Sequence, residues 1–322
     1  MKKILGIGNA LVDKLVKVGD ESLLEELNLP KGSMQLVDTE RYLSISQRMA
    51  SMSAERATGG SAGNTILALA NLQMSPGFIG KISDDENGRF FADNCRAHGI
   101  TPYLLKDELP TGVASTFITP DGQRTFGTYL GAAACLQPED VDAVDFKGYT
   151  YFYIEGYLVH NHALIEHAVD LARAAGLKVC LDLASYNIVE ADRDFFAYLL
   201  SKTDVVFANE EEARAFTGKA PREALTDLAA LCEVAVVKVG ADGAWAQRGE
   251  EVSFAEAMPV AEVVDTTGAG DFFAAGFLYA LAQERPLKAC LQAGAVLSGE
   301  VIQVIGTTLP ESTWQQIRAA VQ

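Results

Sequence analysis

The sequence is short of several features that would each point to a particular class of protein. Across its 322 residues, no uninterrupted apolar run reaches the roughly 18 residues that a membrane span needs. Lysines and arginines number 26 against 43 aspartates and glutamates, so the formal net charge is −17. No local basic stripe offsets this charge, and a polyanion would be repelled. We therefore expect neither a membrane nor a nucleic acid as partner.

Thiols and imidazoles are also scarce. The five cysteines are scattered and form no C-x-x-C pair, which is typical of free thiols in a reducing compartment. The apolar run at residues 4–7 is too short for a signal peptide, so we expect a cytoplasmic protein. His160, His162 and His167 have no spacing typical of metal ligands, and we expect them to be solvated or capping residues.

Two familiar nucleotide-binding fingerprints are missing. Gly6-x-Gly8 begins like a dinucleotide-binding turn, but Leu11 stands where the third glycine belongs. No G-x-x-x-x-G-K-[S/T] sequence is present either, because Lys81 is followed by Ile82. Any nucleotide must therefore be held in another way.

The order of predicted elements indicates the fold class. Short β-rich runs alternate with helical patterns from residue 150 onward, as strands at 150–154, 178–183, 204–208 and 234–239 and helices at 163–175, 192–200 and 209–216. This alternation is typical of a parallel sheet with helices on both faces. Predicted hairpin strands at 243–248 and 252–255 and helices at 269–283, 287–301 and 311–321 complete the chain.

Residues 11–37 and 101–129 interrupt this rhythm. Both segments carry alternating or β-branched runs with turn residues between them. In the second, the pattern predicts a hairpin from 116 to 129, with Pro120-Asp121-Gly122 as its turn.

The most informative string is Asp265-Thr266-Thr267-Gly268-Ala269-Gly270-Asp271. It leads into a helix that is apolar on every side and must therefore be buried. The N-terminus of such a helix offers free N–H groups and a positive dipole end to an anion, and two glycines let that anion approach. Asp271 at the same place can accept a proton from a hydroxyl. A loop that ends in a capping aspartate is the plainer alternative.

Polar residues also follow the first predicted strand, residues 4–8. Open α/β sheets bind ligands at the carboxyl ends of their strands. Asp13 offers two acceptor oxygens to neighbouring hydroxyls, and Asn9 can donate and accept. The alternative is an ordinary turn, where asparagine and aspartate are common.

A second glycine-rich string, Gly59-Gly60-Ser61-Ala62-Gly63-Asn64, opens a predicted helix. Gly59 and Gly60 allow a ligand to touch the backbone, and Asn64 can reach a sugar hydroxyl. The same letters spell G-x-S-x-G, the nucleophile elbow of some hydrolases, which needs an apolar strand directly before it. Residues 54–58 are too polar for that strand, so a hydrolase is disfavoured.

The two glycine-rich strings, in this order and at this separation, resemble the signatures of the ribokinase-like (PfkB) family of carbohydrate and nucleoside kinases. The resemblance covers nearly the whole chain. It implies a three-layer α/β/α fold with a mostly parallel central sheet, within a single kinase domain over residues 1–322. It also implies a small β-sheet lid, discontinuous in sequence at about 11–37 and 101–129. An exposed edge of that lid could pair two subunits, and the oligomeric state stays open.

The resemblance also implies roles for individual residues. Asp271 would be the catalytic base, beside backbone amides of Gly268, Ala269 and Gly270. The other expected contacts are, for the acceptor, Asn9, Asp13, Gly59, Gly60 and Asn64; for the nucleotide, Asn209, Lys238, Gly240 and Gly243; for Mg²⁺, Glu212; and for a monovalent cation such as K⁺, Asp265 and Thr267. For Glu212 the alternative is an acidic helix N-terminus, which is favourable by itself.

The expected reaction is ATP-dependent and Mg²⁺-dependent transfer of the γ-phosphate to a primary hydroxyl of a nucleoside or sugar. The strings most resemble adenosine-kinase-type members, and adenine would need an apolar or aromatic clamp. Candidates for that clamp in the lid are Met34, Leu36, Phe117, Phe126 and Tyr129. A ribokinase- or fructokinase-type sugar kinase and a catalytically inactive kinase-like binding protein remain as alternatives.

Overall fold

The structure, a computed structural model, describes residues 2–121 and 123–321. Its strands, in chain order, are β1 (Ile4–Ile7), β2 (Leu11–Lys17), β3 (Met34–Leu36), β4 (Glu55–Gly59), β5 (Gly77–Ser83), β6 (Thr101–Asp107), β7 (Gly112–Ile118), β8 (Arg124–Tyr129), β9 (Tyr151–Glu155), β10 (Lys178–Asp182), β11 (Val205–Asn209), β12 (Val234–Lys238), β13 (Ala244–Arg248) and β14 (Glu251–Ala255). Gly122, in the predicted turn between β7 and β8, lies outside the described residues.

The helices alternate with most of these strands. They are α1 (Ser22–Glu26), α2 (Thr39–Met49), α3 (Ser61–Asn71), α4 (Glu86–Ala97), α5 (Pro138–Val141), α6 (His162–Ala174), α7 (Tyr186–Ala191), α8 (Arg193–Leu200), α9 (Glu210–Thr217), α10 (Pro221–Ala229), α11 (Ala269–Ala282), α12 (Leu287–Val301) and α13 (Glu311–Ala320). Short 3-10 turns lie at Gly131–Cys135, Gly156–Leu158 and Gly240–Asp242.

The central sheet has nine strands in the order β14-β13-β12-β11-β10-β9-β1-β5-β6. Neighbours from β12 to β6 are parallel, and β13 and β14 add an antiparallel hairpin at one edge. Strands such as Tyr151–Glu155 are buried along their whole length, because helices cover both faces of the sheet. The predicted mostly parallel α/β/α sheet is confirmed.

Two separate hydrophobic cores lie on the two faces of this sheet. On one face, the apolar helix α11 packs between α3 and α12. A Cβ added to Gly276 of α11 would come within 2.4 Å of the Ala293 carbonyl oxygen of α12, so only glycine allows the two helices to approach this closely. This packing fixes the direction of α11 and hence the position of its N-terminus, where Asp271 lies.

A second, five-stranded sheet has the order β3-β8-β7-β2-β4. It corresponds to the expected small β lid, with two corrections to the expected segments. Thr101–Asp107 does not belong to it, because that strand follows helix α4 and pairs in parallel with β5, as a βαβ unit requires. Glu55–Gly59 does belong to it, as an edge strand paired with β2. Its polar residues are tolerated because they lie at an exposed edge of the sheet.

One edge of the lid is exposed to solvent. The outermost lid strand β3 exposes Met34 and Leu36 to solvent, at 54% and 62% of their surface. Pairing of two subunits through a lid edge stays a prediction.

Among residues 2–121 and 123–321, no helix is both long and apolar enough to cross a bilayer.

Candidate active site

A cavity of about 1210 Å³ lies between the small sheet and the carboxyl ends of the central strands. This is the edge at which open α/β sheets bind ligands. Thirteen of the sixteen expected site residues line the cavity, and the other three, Asn9, Gly59 and Asp265, lie behind its wall. The two glycine-rich strings, about 200 residues apart in sequence, thus meet at one place.

The N-terminus of α11 forms part of the cavity wall. Gly268 caps the helix in a left-handed conformation with φ of 76°, and a Cβ there would come within 2.6 Å of the Thr307 side chain. The Ala269 amide donates to the Thr266 carbonyl at 3.2 Å, so it is less available to a ligand than expected. The amides of Gly270 and Asp271 in the first turn have no partner within the helix. Both residues line the cavity.

The Asp271 carboxylate is held by two side chains of helix α3. Ser61 Oγ donates to Asp271 Oδ1 at 2.7 Å, and Asn64 Nδ2 donates to Oδ2 at 2.9 Å. Burial raises the pKa of Asp271 to about 6, although these two hydrogen bonds oppose the shift. A carboxylate with this pKa is largely ionised at neutral pH and is a stronger base than an exposed aspartate.

The sequence does not predict that Asn64 and Ser61 hold Asp271. Asn64 was expected to bind the acceptor, and it lines the cavity, but one of its amide N–H groups is taken by Asp271. Its Oδ1 accepts from Thr307 Oγ1 at 3.3 Å. For Ser61, the sequence indicates no contact with Asp271, and the role of a hydrolase nucleophile is disfavoured. A strand, β4, does precede it, but as an exposed polar edge rather than the buried strand of a nucleophile elbow.

Asp13 lies at the other side of the cavity from the central strands, on β2 of the lid. It faces Gly59, where an added Cβ would come within 2.3 Å of Asp13 Oδ1, so Gly59 makes room for this carboxylate. Burial is the main cause that raises the pKa of Asp13 to about 7, followed by the charge of Asp271, with Arg124 opposing. Gly60 has φ of +88°, and a Cβ there would clash with the Asn9 carbonyl oxygen.

Asn9 does not face the cavity. Its backbone N–H and its Nδ2 both donate to Glu155 Oε1, at 2.9 and 2.5 Å, while the Ala62 amide donates to Oε2 at 2.8 Å. Glu155 is 1% exposed, and its burial raises the pKa to about 7 against the effect of these hydrogen bonds. A buried carboxylate needs such donors, and this need turns Asn9 inward. The sequence alone gave no sign of this pairing.

Lys238 marks the opposite end of the cavity, at the end of β12. Its Nζ lies 3.3 Å from Asp182 Oδ2 and close enough to Gly270 that an added Cβ there would be 3.1 Å away. Burial favours the neutral amine, but the charges of Asp182 and Glu212 outweigh burial and raise the pKa of Lys238. A charged ammonium therefore lies beside the first turn of α11. The sequence does not indicate a role for Asp182, which lies within the strand predicted at 178–183 and ends it in the structure.

Asn209 and Glu212 form a reciprocal cap at the start of α9. The Asn209 N–H and Nδ2 donate to the two oxygens of Glu212 at 2.8 Å, and the Glu212 N–H donates back to Asn209 Oδ1 at 2.8 Å. Burial and the nearby charge of Asp182 raise the pKa of Glu212 to about 7. Glu212 therefore has the helix-capping role that was the alternative to a metal ligand. Both residues also line the cavity.

Two glycines that follow Lys238 also line this end of the cavity. Gly240 has φ of +56° and open space where a Cβ would lie. Gly243 has φ of +122°, and its missing Cβ leaves room for the Ala255 carbonyl oxygen. Gly243 is therefore required by the turn between β12 and β13, whether or not a ligand lies beside it.

The described residues contain no preformed metal site. Among them, no three His, Cys, Asp or Glu side chains cluster in a way that would hold an ion. His162 and His167 each pair with an aspartate at the surface, away from the cavity. Asp182 and Glu212 line the Lys238 end of the cavity and offer the hard oxygen ligands that Mg²⁺ takes. Because Mg²⁺ keeps several waters and binds few carboxylates, these residues are compatible with an ion held jointly with phosphates.

The lid candidates for an aromatic clamp do not converge on the cavity. Of the five, only Phe126 is among the lining residues in the described part of the chain. Phe117 is fully buried in the lid, and Tyr129 stacks on Tyr42 at 4.4 Å between ring centroids. Phe126 and Tyr129 are three residues apart on β8, and they point to opposite faces of the lid because side chains alternate along a strand.

Most of the chain matches a known protein family. The profile of the family described as pfkB family carbohydrate kinase matches residues 33–314. The chain belongs to this family. As a member, it is a kinase, a phosphotransferase with an alcohol group as acceptor, and kinases of this family use ATP, generally with Mg²⁺.

Several relatives of this pfkB-family kinase match over almost their whole length. A structure of adenosine kinase from Sinorhizobium meliloti is 36% identical with a TM-score of 0.87, and the match covers 99% of each chain. A probable sugar kinase from Rhizobium etli CFN 42 has the same identity and TM-score, covering 99% of this chain and 98% of its own. Adenosine kinase 2 of Arabidopsis thaliana is 27% identical, with 96% of both chains covered.

Proposed function

We propose that this kinase transfers the γ-phosphate of ATP to a primary hydroxyl of adenosine. One observation carries the proposal: Asp271 and the first-turn amides of α11 open into a single cavity, with Asp13 on one side and Lys238 on the other. An acceptor bound by Asp13 and a nucleotide bound near Lys238 would meet at Asp271.

The chemistry of the acceptor side follows from Asp271. Its carboxylate takes the proton of the acceptor hydroxyl as the oxygen attacks phosphorus, a role worth roughly 10²–10⁴-fold in rate for a positioned base. Ser61 and Asn64 hold the two carboxylate oxygens so that the base is oriented before the acceptor binds. The lid sheet covers the acceptor and limits the access of water, which would otherwise compete for the phosphoryl group.

The chemistry of the phosphoryl side follows from the helix end. The amides of Gly270 and Asp271 donate to the transferring phosphoryl oxygens, and preorganised donors of this kind contribute about 3 kcal/mol each. Lys238 adds a positive charge beside them. Mg²⁺, when bound with the nucleotide, neutralises phosphate charge, and Asp182 and Glu212 are the residues that would hold it.

Three observations support adenosine as the acceptor. The cavity, at about 1210 Å³, exceeds the range of about 300–1,000 Å³ that is typical of a pocket for one small ligand, so there is room for two. Phe126 and Leu11 line it and provide an apolar surface for a base. The Sinorhizobium meliloti relative is named an adenosine kinase.

A sugar is the second candidate. The Rhizobium etli relative, equally similar in sequence and structure, is named a probable sugar kinase. Asp13 would bind the hydroxyls of a free sugar as well as those of a ribosyl group, since both present neighbouring hydroxyls. The two candidates therefore differ at the apolar wall and not at the catalytic centre.

The test measures ADP formation from ATP with adenosine, other nucleosides, ribose and fructose. We expect turnover with adenosine and none with 5′-deoxyadenosine, which lacks the acceptor hydroxyl and should compete with adenosine. Turnover with a sugar alone would replace the first candidate by the second. No turnover with any acceptor, together with measurable ATP binding, would identify a binding protein instead of an enzyme.

A further inference from the structure

Asp265 has an environment that the sequence did not indicate. Its side chain is only 4% exposed, and its oxygens accept the amide of Thr267 at 3.0 Å and the amide of Gly306 at 2.7 Å. The Arg124 guanidinium also forms an ion pair with Asp265. Nη1 of Arg124 donates to Thr267 Oγ1 at 3.1 Å. Arg124 thus contacts both residues that were expected to bind a monovalent cation.

These contacts do not fit a cation site. A cation needs oxygen lone pairs that are free to face it. Both lone pairs of Asp265 Oδ2 are taken, by the Gly306 N–H and by the Arg124 guanidinium, and Oδ1 accepts the Thr267 N–H. The guanidinium adds a full positive charge at the same carboxylate, because arginine is always protonated in proteins. A second cation in this buried place would meet strong repulsion, since burial weakens screening.

Arg124 belongs to another part of the fold than Asp265. It is the first residue of β8 in the lid, whereas Asp265 and Thr267 belong to the loop that leads into α11. Its side chain is 10% exposed, so most of it is enclosed between the lid and this loop. The Arg124 charge also lowers the pKa of Asp13 against the larger effect of burial, which indicates that it acts across the acceptor side.

We propose that Arg124 replaces the monovalent cation found in some members of the family, as a positioning residue that the lid supplies. Its charge holds Asp265 and Thr267 and thereby fixes the turn that presents Gly268–Asp271. The enzyme would then need no monovalent cation. The effect on turnover rests on the function proposed above, whereas the effect on cation binding does not.

The test compares the wild-type chain with Arg124→Ala and Arg124→Lys in KCl and in tetramethylammonium chloride of equal ionic strength. Thermal unfolding and thallium-205 NMR, with Tl⁺ as a K⁺ probe, measure cation binding without any substrate. ADP formation is measured in the same salts. Arg56→Ala is the matched control, because Arg56 is a lid arginine that pairs with the exposed Glu86, away from the α11 loop.

We expect wild type, Arg124→Lys and Arg56→Ala to give the same melting temperature and rate in both salts. Arg124→Ala should melt earlier, bind Tl⁺, and recover several-fold in rate and a few degrees in melting temperature with K⁺. K⁺-specific stabilisation or Tl⁺ binding in the wild-type chain would overturn the proposal, even if Arg124→Ala did not fold. A folded Arg124→Ala that ignores K⁺ would also overturn it. If no acceptor is turned over, the unfolding and NMR results still decide the question.

Discussion

The two ends of the cavity differ in how they use charge. At the acceptor end, Asp13 and Asp271 are half-buried carboxylates whose pKa values are raised by desolvation to about 7 and about 6. At the nucleotide end, Lys238 is a half-buried cation whose pKa is raised by two carboxylates against the opposing effect of burial. In the proposed function, the acceptor end therefore accepts hydrogen bonds and a proton from a neutral alcohol. The other end would bind the polyanionic nucleotide.

The two ends also belong to different sheets of the fold. The nucleotide end stands on strands of the central sheet, whereas Asp13 is carried by the small sheet. Helix α11 contributes to both, because its first turn lies next to Lys238 while Asp271 is held by Ser61 and Asn64. This separation predicts that a variant at one end changes the kinetics of one substrate, and that a variant of Asp271 changes the chemical step.

The largest effect is expected for Asp271→Asn, which removes the base and keeps the shape of the side chain. We expect kcat to fall by about 10²–10⁴-fold. The dissociation constants of ATP and adenosine should stay within a few-fold of wild type, because neither end of the cavity is altered. Steady-state rates and calorimetric titration measure the two quantities.

Glu256→Gln is the matched control for this variant. Glu256 also lines the cavity but is exposed and lies outside α11. Its kcat should equal that of wild type. A near-normal rate for Asp271→Asn would remove Asp271 from the mechanism and would erase the contrast between the chemical centre and the two binding ends.

The next largest effect is expected for Asp13→Asn. A hydrogen bond to a charged group contributes about 1.5–3 kcal/mol, so kcat/KM for the acceptor should fall by roughly 10- to 100-fold. The KM for ATP should not change. In wild type, kcat/KM for the acceptor should rise as pH increases through about 7, because Asp13 then becomes ionised. An increase in the KM for ATP alone would place Asp13 at the wrong end.

Lys238→Ala should show the reverse pattern with a smaller effect. Loss of the ammonium removes one favourable charge from the phosphates and leaves Asp182 without its partner, so the KM for ATP should rise by about 10-fold. The KM for adenosine should stay constant. Lys219→Ala, which removes an exposed lysine paired with Asp227, is the control for a general change in charge. Equal losses for both substrates would contradict the division into two ends.

The smallest effect is expected for Ser61→Ala. Ser61 donates to the ionised form of Asp271, so its loss should raise the Asp271 pKa further above 6, by about one unit. Because the base must be ionised, kcat of wild type should fall as pH drops below about 6. In Ser61→Ala, this acidic limb of the pH profile should move to higher pH. Ser298→Ala, which also lines the cavity, should leave the profile unchanged. An unshifted limb in Ser61→Ala would show that this hydrogen bond does not tune the base.

The sequence predicts the parts of the molecule in which neighbouring residues share one task. Gly268–Asp271 is such a segment, since its glycines, its carboxylate and the apolar helix after it are consecutive. The strands of the central sheet were predictable for a similar reason, because burial on both faces leaves continuous apolar runs such as Tyr151–Glu155.

The remaining features depend on pairs that lie far apart in sequence. Asn9 turns towards Glu155, 146 residues away, and Arg124 of the lid pairs with Asp265 of the loop before α11. The edge strand Glu55–Gly59 is polar, so no hydrophobic pattern marks it. In each case the partner decides the role of the residue, and a single sequence does not show which residues are partners.

The most direct test is a crystal structure of the kinase with adenosine and a non-hydrolysable ATP analogue. We expect the acceptor hydroxyl at about 2.6–3.2 Å from an Asp271 carboxylate oxygen, and the terminal phosphate on the amides of Gly270 and Asp271. A terminal phosphate bound away from the α11 N-terminus, or an acceptor hydroxyl out of reach of Asp271, would contradict it.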